Sequence, residues 1–175
     1  MKTVDFYFDL SSPYSYLAAT QLAALERTSR CAIAWKPMVL AAVFKSAGNT
    51  MPAACPPKAK YMLDDLGRWA RQYGVEFRMT SRFPVNAIKP MRLVLAAEPE
   101  GRAGAVALAA FRALWVNDRD ITDGAELRAI AKEAGLDPER ALAAIETPEI
   151  KDRLRAHTDD AIRRGAFGAP AIFVD

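Results

Sequence analysis

Residues 3–17, TVDFYFDLSSPYSYL, decide the fold because the spacing of their apolar residues changes in the middle. Val4, Phe6 and Phe8 alternate with polar-tipped residues, which is the two-residue period of a strand with one buried face. The second half of the stretch and the residues after it carry apolar side chains at steps of three and four. That spacing is typical of an amphipathic helix. The sequence therefore predicts a strand that turns directly into one helix ending near Leu25.

The turn between this strand and helix is a candidate anion site. Ser12 is predicted to be the N-cap, because Pro13 suits the first helical position, where no N–H is needed. The N–H groups of the first helical turn and the helix dipole favour an anion there. The Ser12 hydroxyl adds one movable donor for an oxyanion, a phosphate or a thiolate. Considered alone, this Ser-Pro pair is better explained by a serine that only caps its helix.

The composition is that of an ordinary globular protein. Of the 175 residues, 51% are hydrophobic and 26% are charged, with 24 basic against 21 acidic residues. No basic run is interleaved with aromatic residues, so nucleic acid is not an expected partner. No apolar stretch is long enough to cross a membrane, and the first residues lack the pattern of a signal peptide. We therefore expect a cytoplasmic protein without a membrane partner.

The two cysteines predict neither a metal site nor a disulfide. Cys31 and Cys55 are far apart in the sequence and form no CxxC or zinc-ligand spacing. Free thiols in a reducing compartment are the expected state. His157 is the single histidine, and it falls on the apolar face of a predicted helix, which favours a packed side chain over a general base.

Further strands are predicted only near the two ends of the chain. Residues 31–38 alternate in the manner of a second strand, so the first 38 residues form a βαβ unit with parallel strands. Residues 171–174 (AIFV) are a short apolar strand. The intervening segments are helical; the predicted helices cover residues 41–47, 58–73, 86–98, 102–117 and 123–133. Two further helices are predicted to open at Asp137-Pro138 and at Thr147-Pro148, the second of them ending before Gly165. We divide the chain into a discontinuous domain of residues 1–38 and 158–175 and an insertion of residues 39–157.

Three segments together resemble one known family. FYFDLSSPYSYLA at residues 6–18, KAKY at 58–61 and GAFGAP at 165–170 are similar to the 2-hydroxychromene-2-carboxylate isomerases and kappa-class glutathione transferases. Both groups are DsbA-like, thioredoxin-fold proteins. The resemblance implies an α/β fold, in which a thioredoxin-like βαβ half carries a long all-helical insertion. The closing ββα part of that fold is expected to be incomplete at Asp175; if the chain ends there, an unpaired strand edge and weaker glutathione binding are expected.

The resemblance also implies a set of site residues. Ser12 corresponds to the catalytic serine, which holds the thiolate of glutathione. The residues matched to glutathione contacts are Ser12, Asn49, Lys58, Ala169 and Pro170, with a cis peptide bond before Pro170. Lys45 and Asn86 are matched to substrate contacts, and no metal is implied. Interpreted without the family, these are a loop asparagine, two solvated lysines, a helix cap and an ordinary proline.

The function implied is a glutathione-dependent isomerase. A glutathione thiolate adds to a ring-opened 2-hydroxychromene-2-carboxylate, a bond rotates, and elimination releases the other isomer. The DsbA-like relatives carry a CxxC where this sequence has Ser12-Pro13-Tyr14-Ser15, so thiol–disulfide exchange is not expected there. Alternatives are kappa-type transfer of glutathione to an electrophile, and a non-catalytic module that binds extended peptides. Redox chemistry at Cys31 or Cys55 is a weaker alternative. The family also implies a homodimer.

Overall fold

Within residues 2–174 the sheet has three strands, and the first strand of the chain lies in its centre. The computed structural model describes residues 2–174. Its sheet contains β1 (Thr3–Phe8), β2 (Ala32–Pro37) and β3 (Ala171–Val174), in the order β2-β1-β3. β1 and β2 are parallel in one continuous register, whereas β3 is antiparallel to β1. The predicted βαβ unit and the returning strand are confirmed, and β3 lies at an edge of the sheet formed by the described residues.

The helix that follows Ser12 is interrupted, so the prediction of one helix as far as Leu25 was wrong. α1 (Pro13–Ala19) ends after seven residues, and α2 (Leu22–Ser29) begins two residues later. At the break the Thr20 hydroxyl donates to the Leu17 carbonyl at 2.6 Å. A threonine hydroxyl that donates to a carbonyl three residues earlier competes with the regular hydrogen bonds of a helix. Because α1 is short, its dipole is weaker than that of the long helix expected from the sequence.

Between β2 and β3 the described residues form helices and no strand, as predicted. The helices are α3 (Leu40–Ser46), α4 (Pro56–Tyr73), α5 (Ile88–Ala96), α6 (Ala103–Trp115), α7 (Gly124–Glu133), α8 (Pro138–Ala144) and α9 (Pro148–Arg163). Asp123, Asp137 and Thr147 cap α7, α8 and α9 with their side chains. α9 runs continuously through residues 157 and 158, and the proposed division into two domains at that point stays a prediction. No helix among residues 2–174 is long and apolar enough to cross a membrane.

The core joins the sheet to α6. Phe8 of β1 packs against Phe111 of α6, with ring centroids 5.7 Å apart. Trp115, at the end of α6, is fully buried, and its indole N–H donates to the Leu10 carbonyl at 2.9 Å. Leu10 lies in the turn between β1 and α1, so the extensively buried helix α6 directly supports the segment that carries Ser12.

α4 leaves aromatic side chains exposed. Leu66 is fully buried, but Trp69 and Tyr73 are 44% and 36% exposed. Their rings pack against each other instead, with centroids 5.3 Å apart. Trp69 and Tyr73, four residues apart, therefore form an aromatic pair on the surface. Gly74 ends α4 in the left-handed conformation at φ +65°.

Candidate active site

A cavity of about 530 Å³ opens beside the end of β1 and the start of α1. Its volume lies within the range usual for sites that bind small molecules. Most of its wall is apolar, built from Phe44, Met51, Met62, Phe83, Val85, Ile88 and Met91. Its polar side chains are Asp9, Ser11, Ser12, Tyr14, Asn49 and Asn86.

Ser12 has the predicted place and an additional contact. Its side-chain oxygen accepts the N–H of Ser15 at 3.1 Å, which confirms it as the N-cap of α1. Its hydroxyl donates to the Ala169 carbonyl, also at 3.1 Å. The side chain is 5% exposed and lines the cavity. The hydroxyl thus connects the two segments that the motifs singled out, 157 residues apart in the chain.

The segment before β3 forms one edge of the cavity. The peptide bond between Ala169 and Pro170 is cis, as predicted. Ala169 lines the cavity together with Gly168 and Phe167, and the ring of Phe167 is 71% exposed. The Asn49 amide donates to the Phe167 carbonyl at 3.0 Å. Asn49 therefore ties the loop between α3 and α4 to the edge that carries Ala169.

Asp9 is a buried carboxyl group in the cavity wall. It is 4% exposed, and one of its oxygens accepts the N–H and the hydroxyl of Ser11 at 2.9 and 2.7 Å. The other oxygen accepts the N–H of Leu40 at 2.9 Å. Burial raises the pKa of Asp9 above its usual value, against the lowering effect of these donors. Sequence reasoning missed Asp9, because the alternation of β1 assigned it to the polar face of a strand.

Tyr14 presents its ring to the cavity while its hydroxyl points to α4. The hydroxyl donates to Asp65 at 2.9 Å. Burial and the neighbouring Asp65 carboxylate raise the pKa of Tyr14 well above its usual value. This phenol is therefore a structural donor that fastens α1 to α4.

Comparison with known proteins identifies the family of this chain. The profile of the DSBA-like thioredoxin domain matches residues 3–175. The chain belongs to the DSBA-like thioredoxin family.

Within this DSBA-like thioredoxin family, the chain is similar to two kinds of enzyme. It is 36% identical to the 2-hydroxychromene-2-carboxylate isomerase of Sphingobium xenophagum, over 99% of this chain and 89% of that protein. It is 30% identical to glutathione S-transferase kappa 1 of Homo sapiens, over 97% of this chain and 79% of that protein. A solved structure of a 2-hydroxychromene-2-carboxylate isomerase superposes with a TM-score of 0.90 at 27% identity, covering 99% of this chain and 85% of that one.

Of the remaining candidate residues of this DSBA-like chain, one lines the cavity and three do not. Asn86 lines it, and its amide oxygen accepts the N–H of Ile88 at 3.2 Å, although Ala87 is the N-cap of α5. Lys58 lines a smaller neighbouring cavity of about 380 Å³, which shares Tyr14 with the first. Lys45 is exposed in the last turn of α3 and is not part of either wall. Pro170 follows the cavity edge without lining it. The ligand roles of these residues stay predictions.

Residues 83–86 form a loop in the cavity wall, and Asp118, which does not line the cavity, anchors the segment before this loop. The Asp118 carboxylate accepts the Thr80 hydroxyl at 2.7 Å. Asp118 also accepts the N–H and the hydroxyl of Ser81 at 2.8 and 2.9 Å. These hydrogen bonds, with that from Thr80 the largest cause, lower the pKa of Asp118 to about 2. The loop is therefore fixed by an ionised side chain over the whole neutral range.

The cysteines and His157 lie outside this wall. Cys31 is buried and Cys55 is half-buried; both are free thiols, and neither lines the cavity. His157 lies on α9 and lines a separate cavity with Trp35. Among residues 2–174 no cluster of three His, Cys, Asp or Glu side chains is arranged to hold a metal ion.

Proposed function

We propose that this protein is a glutathione-dependent isomerase acting on 2-hydroxychromene-2-carboxylate-type intermediates. The observation that carries the proposal is the Ser12 hydroxyl, which faces the Ala169 carbonyl across the cavity edge at 3.1 Å. The relatives named as isomerases and kappa transferases support it, since the chain aligns with both over nearly its whole length.

The residues present fit glutathione. Asn49, Ser12 and the main chain of Ala169 supply polar groups along one edge of the cavity, and an extended tripeptide can pair with such a main-chain edge. Lys58, in the adjoining cavity, offers a cation to one of the two carboxylates of glutathione. When bound, glutathione supplies the thiolate that adds to the conjugated substrate and is later eliminated.

The chain's own residues then have two tasks. Ser12 turns its hydroxyl proton from the Ala169 carbonyl to the sulfur and stabilises the anion by a charge-assisted hydrogen bond. The apolar wall, with Phe83 and Met91, holds the conjugated substrate against that sulfur. Lys45 and Asn86 are the proposed contacts of the substrate, and Asn86 is the one that lines the cavity.

A second candidate function is kappa-type transfer of glutathione to an electrophile. The cavity wall contains no Lys, Arg or His among its described residues, which favours an uncharged, apolar electrophile over a carboxylate. An assay with 2-hydroxychromene-2-carboxylates and chlorinated aromatics in parallel distinguishes the two. Turnover of the carboxylate alone supports the isomerase, and turnover of the aromatic alone supports the transferase.

Ser12→Ala tests the proposed function, with Thr147→Ala as the matched control. Both residues cap a helix whose first position is proline, and only Ser12 lines the cavity. Each change is expected to reduce the free energy of unfolding by about 1 kcal/mol. Loss of a hydrogen bond to an anion is expected to lower kcat/KM about 10- to 100-fold in Ser12→Ala alone. Equal kcat/KM in both variants would remove Ser12 from the mechanism.

A further inference from the structure

We propose that Asp9 is a second functional residue of this cavity, which takes up the thiol proton of bound glutathione through the Ser11 hydroxyl. This inference rests on the proposed function, because it concerns the step that produces the thiolate. It assigns a proton acceptor to a reaction for which Ser12 supplies only a hydrogen-bond donor.

The composition of the cavity wall leaves few candidates for this acceptor. Among the residues that line the cavity, Asp9 and Tyr14 are the ones with ionisable side chains. The Tyr14 hydroxyl already donates to Asp65, and burial and this contact raise its pKa. A phenol in that state is neutral and takes up no proton. Asp9 is therefore the group in the wall that can act as a base.

The contacts of Asp9 are those of an ionised carboxylate that is ready to accept a proton. Three donors point at its two oxygens: the Ser11 N–H, the Ser11 hydroxyl and the Leu40 N–H. All three donors are neutral. Within residues 2–174 no Lys, Arg or His forms an ion pair with this carboxylate, and no charged neighbour contributes to the shift of its pKa. The carboxylate is thus buried without a counter-ion, which makes its protonated form easier to reach.

Ser11 connects Asp9 to the interior of the cavity. Its hydroxyl donates to Asp9 at 2.7 Å, and the half-buried side chain also lines the cavity. A hydroxyl both donates and accepts, so it can pass a proton on without holding a charge. In the step proposed, Ser11 Oγ accepts the thiol proton while its own proton moves to Asp9 Oδ1. The products are a thiolate and a neutral Asp9, and the reverse transfer restores both groups after elimination.

The pKa values of the two groups decide whether this transfer is feasible. The pKa of an ordinary aspartate is roughly 4.6 units below that of an ordinary thiol, so transfer of a proton from the thiol to the aspartate in water is strongly unfavourable. Burial raises the pKa of Asp9, and the Ser12 hydroxyl stabilises the thiolate, so both effects narrow the gap. The transfer also leaves the net charge of the cavity unchanged, which avoids two negative charges in an apolar enclosure.

Calorimetric titration with glutathione, in two buffers of different ionisation enthalpy, tests the proposal. The ultraviolet absorbance of the thiolate is measured in parallel. With Asp9 as acceptor, the wild-type protein forms the thiolate at neutral pH without releasing a proton to the buffer. In Asp9→Asn each thiolate formed releases one proton. If Asp9 has a purely structural role, the number of protons released per thiolate formed is the same in the wild type and in Asp9→Asn.

A second pair of variants keeps the test independent of any folding defect in Asp9→Asn. Ser11→Ala removes the relay and leaves the carboxylate in place, so kcat is expected to fall tenfold or more, with KM for glutathione unchanged within about twofold. Ser11→Thr restores the hydroxyl and the rate. Thr122→Ala is the matched control, since the Thr122 N–H and hydroxyl bind Asp120 in the same arrangement outside the cavity.

The outcomes separate the two proposals. Release of one proton per thiolate by the wild-type protein, or an unchanged kcat in Ser11→Ala, overturns the role of Asp9 and leaves the proposed function intact. A wild-type protein that gives no heat with glutathione in either buffer overturns the proposed function, and the role of Asp9 with it.

Discussion

The Ser12 hydroxyl has one proton and, in this structure, two partners. It accepts from Ser15 and donates to Ala169, so a thiolate must compete with the Ala169 carbonyl for the proton. A neutral hydrogen bond contributes about 1 kcal/mol, whereas a bond to a charged group contributes about 1.5–3 kcal/mol. The competition therefore favours the anion. The donation to Ala169 holds the hydroxyl at the cavity edge until a stronger acceptor arrives.

Individual site residues differ in how far the sequence could identify them. A local signal, a strand followed by a serine and a proline, predicted Ser12 as a helix cap, and its assignment to a ligand site also required the resemblance. Asn49 and Ala169 required a resemblance that spans the chain, since nothing near them in the sequence indicates a common edge. Asp9 was missed because its burial depends on α3, whose Leu40 N–H reaches it from 31 residues away. A carboxyl group directly after a strand and before two serines is the signal that was available.

His157 is expected to make stability depend on pH below neutrality. Burial lowers the pKa of His157 below its usual value of 6.5, against the opposing charge of Glu98, and no group within residues 2–174 hydrogen-bonds its buried Nδ1. The unfolded chain therefore binds the proton more readily than the folded one. Stability from this group is present above about pH 6.5 and is lost as the pH falls through the folded pKa.

The measurement is urea unfolding of the wild type and of His157→Gln between pH 8 and pH 5. Below pH 6.5 the wild type is expected to lose up to about 1.4 kcal/mol per pH unit more than the variant, the limit for one titrating group. Above pH 7.5 the difference between the two proteins should be constant, which serves as the internal control. Parallel curves over the whole range would show that His157 is not the titrating group.

At the scale of single elements, capping was predicted better than packing. The start of α9 follows from Thr147 and Pro148, two adjacent residues, and the structure has it there. At the break between α1 and α2 the Thr20 hydroxyl donates to the Leu17 carbonyl, a contact that the spacing of apolar residues does not predict. The exposure of Trp69 depends on which helices flank α4. A helix cap can be predicted from two or three adjacent residues, whereas the contacts between helices depend on the whole fold.

Gly104 illustrates such a neighbour effect, and substitution is expected to destabilise the protein. A Cβ added at Gly104, near the start of α6, would lie 2.8 Å from the indole nitrogen of Trp35. Alanine in place of glycine gains up to about 1 kcal/mol of helix propensity. Overpacking of a well-filled contact costs about 1–3 kcal/mol, so the loss exceeds the gain. Gly104→Ala should therefore lower the free energy of unfolding by about 1 kcal/mol.

Gly67→Ala is the matched control for this change. Gly67 is also helical, and its added Cβ would meet only the end of the Arg71 side chain, at 3.5 Å. The propensity gain of about 0.5–1 kcal/mol should then appear without a packing cost. Urea denaturation of both variants measures the two effects. Stabilisation by both substitutions would mean that Trp35 moves aside freely.

At the scale of the whole molecule, the two ends of the chain meet on the face of the sheet opposite the main core. Tyr7 of β1 is fully buried there, and its hydroxyl donates to Asp160 of α9. Its ring packs edge-on against Phe173 of β3, with centroids 5.6 Å apart. The fold class followed from the change of period in residues 3–17 and from the resemblance. The contact of Tyr7 with α9 was not predicted, because Tyr7 and Asp160 are separated by more than 150 residues. The homodimer and the cytoplasmic location stay predictions.

Asp5 is expected to hold these ends together. Its carboxylate pairs with Lys36 of β2 at 2.9 Å and with Arg164, directly after α9. Burial opposes ionisation of Asp5, but the hydrogen bonds of Arg164 and Lys36 outweigh it and lower the pKa. Stability from this group is therefore present above about pH 4 and is lost as the pH falls through the folded pKa.

Asp5→Asn leaves two cations facing each other without their common anion. The Asp5 side chain is 12% exposed, which places the expected loss between that of a surface pair and that of a buried pair, at about 1–3 kcal/mol at pH 7. Asp152→Asn, in an exposed pair with Arg155, is the matched control and should change stability by less than about 0.5 kcal/mol. Urea unfolding at pH 7 and pH 3 measures both, and the difference between wild type and Asp5→Asn should shrink at pH 3. An equal effect of the two substitutions at pH 7 would mean that the ion pairs of Asp5 with Lys36 and Arg164 contribute nothing measurable to stability, and that the Tyr7–Asp160 hydrogen bond and apolar packing hold β1 against α9.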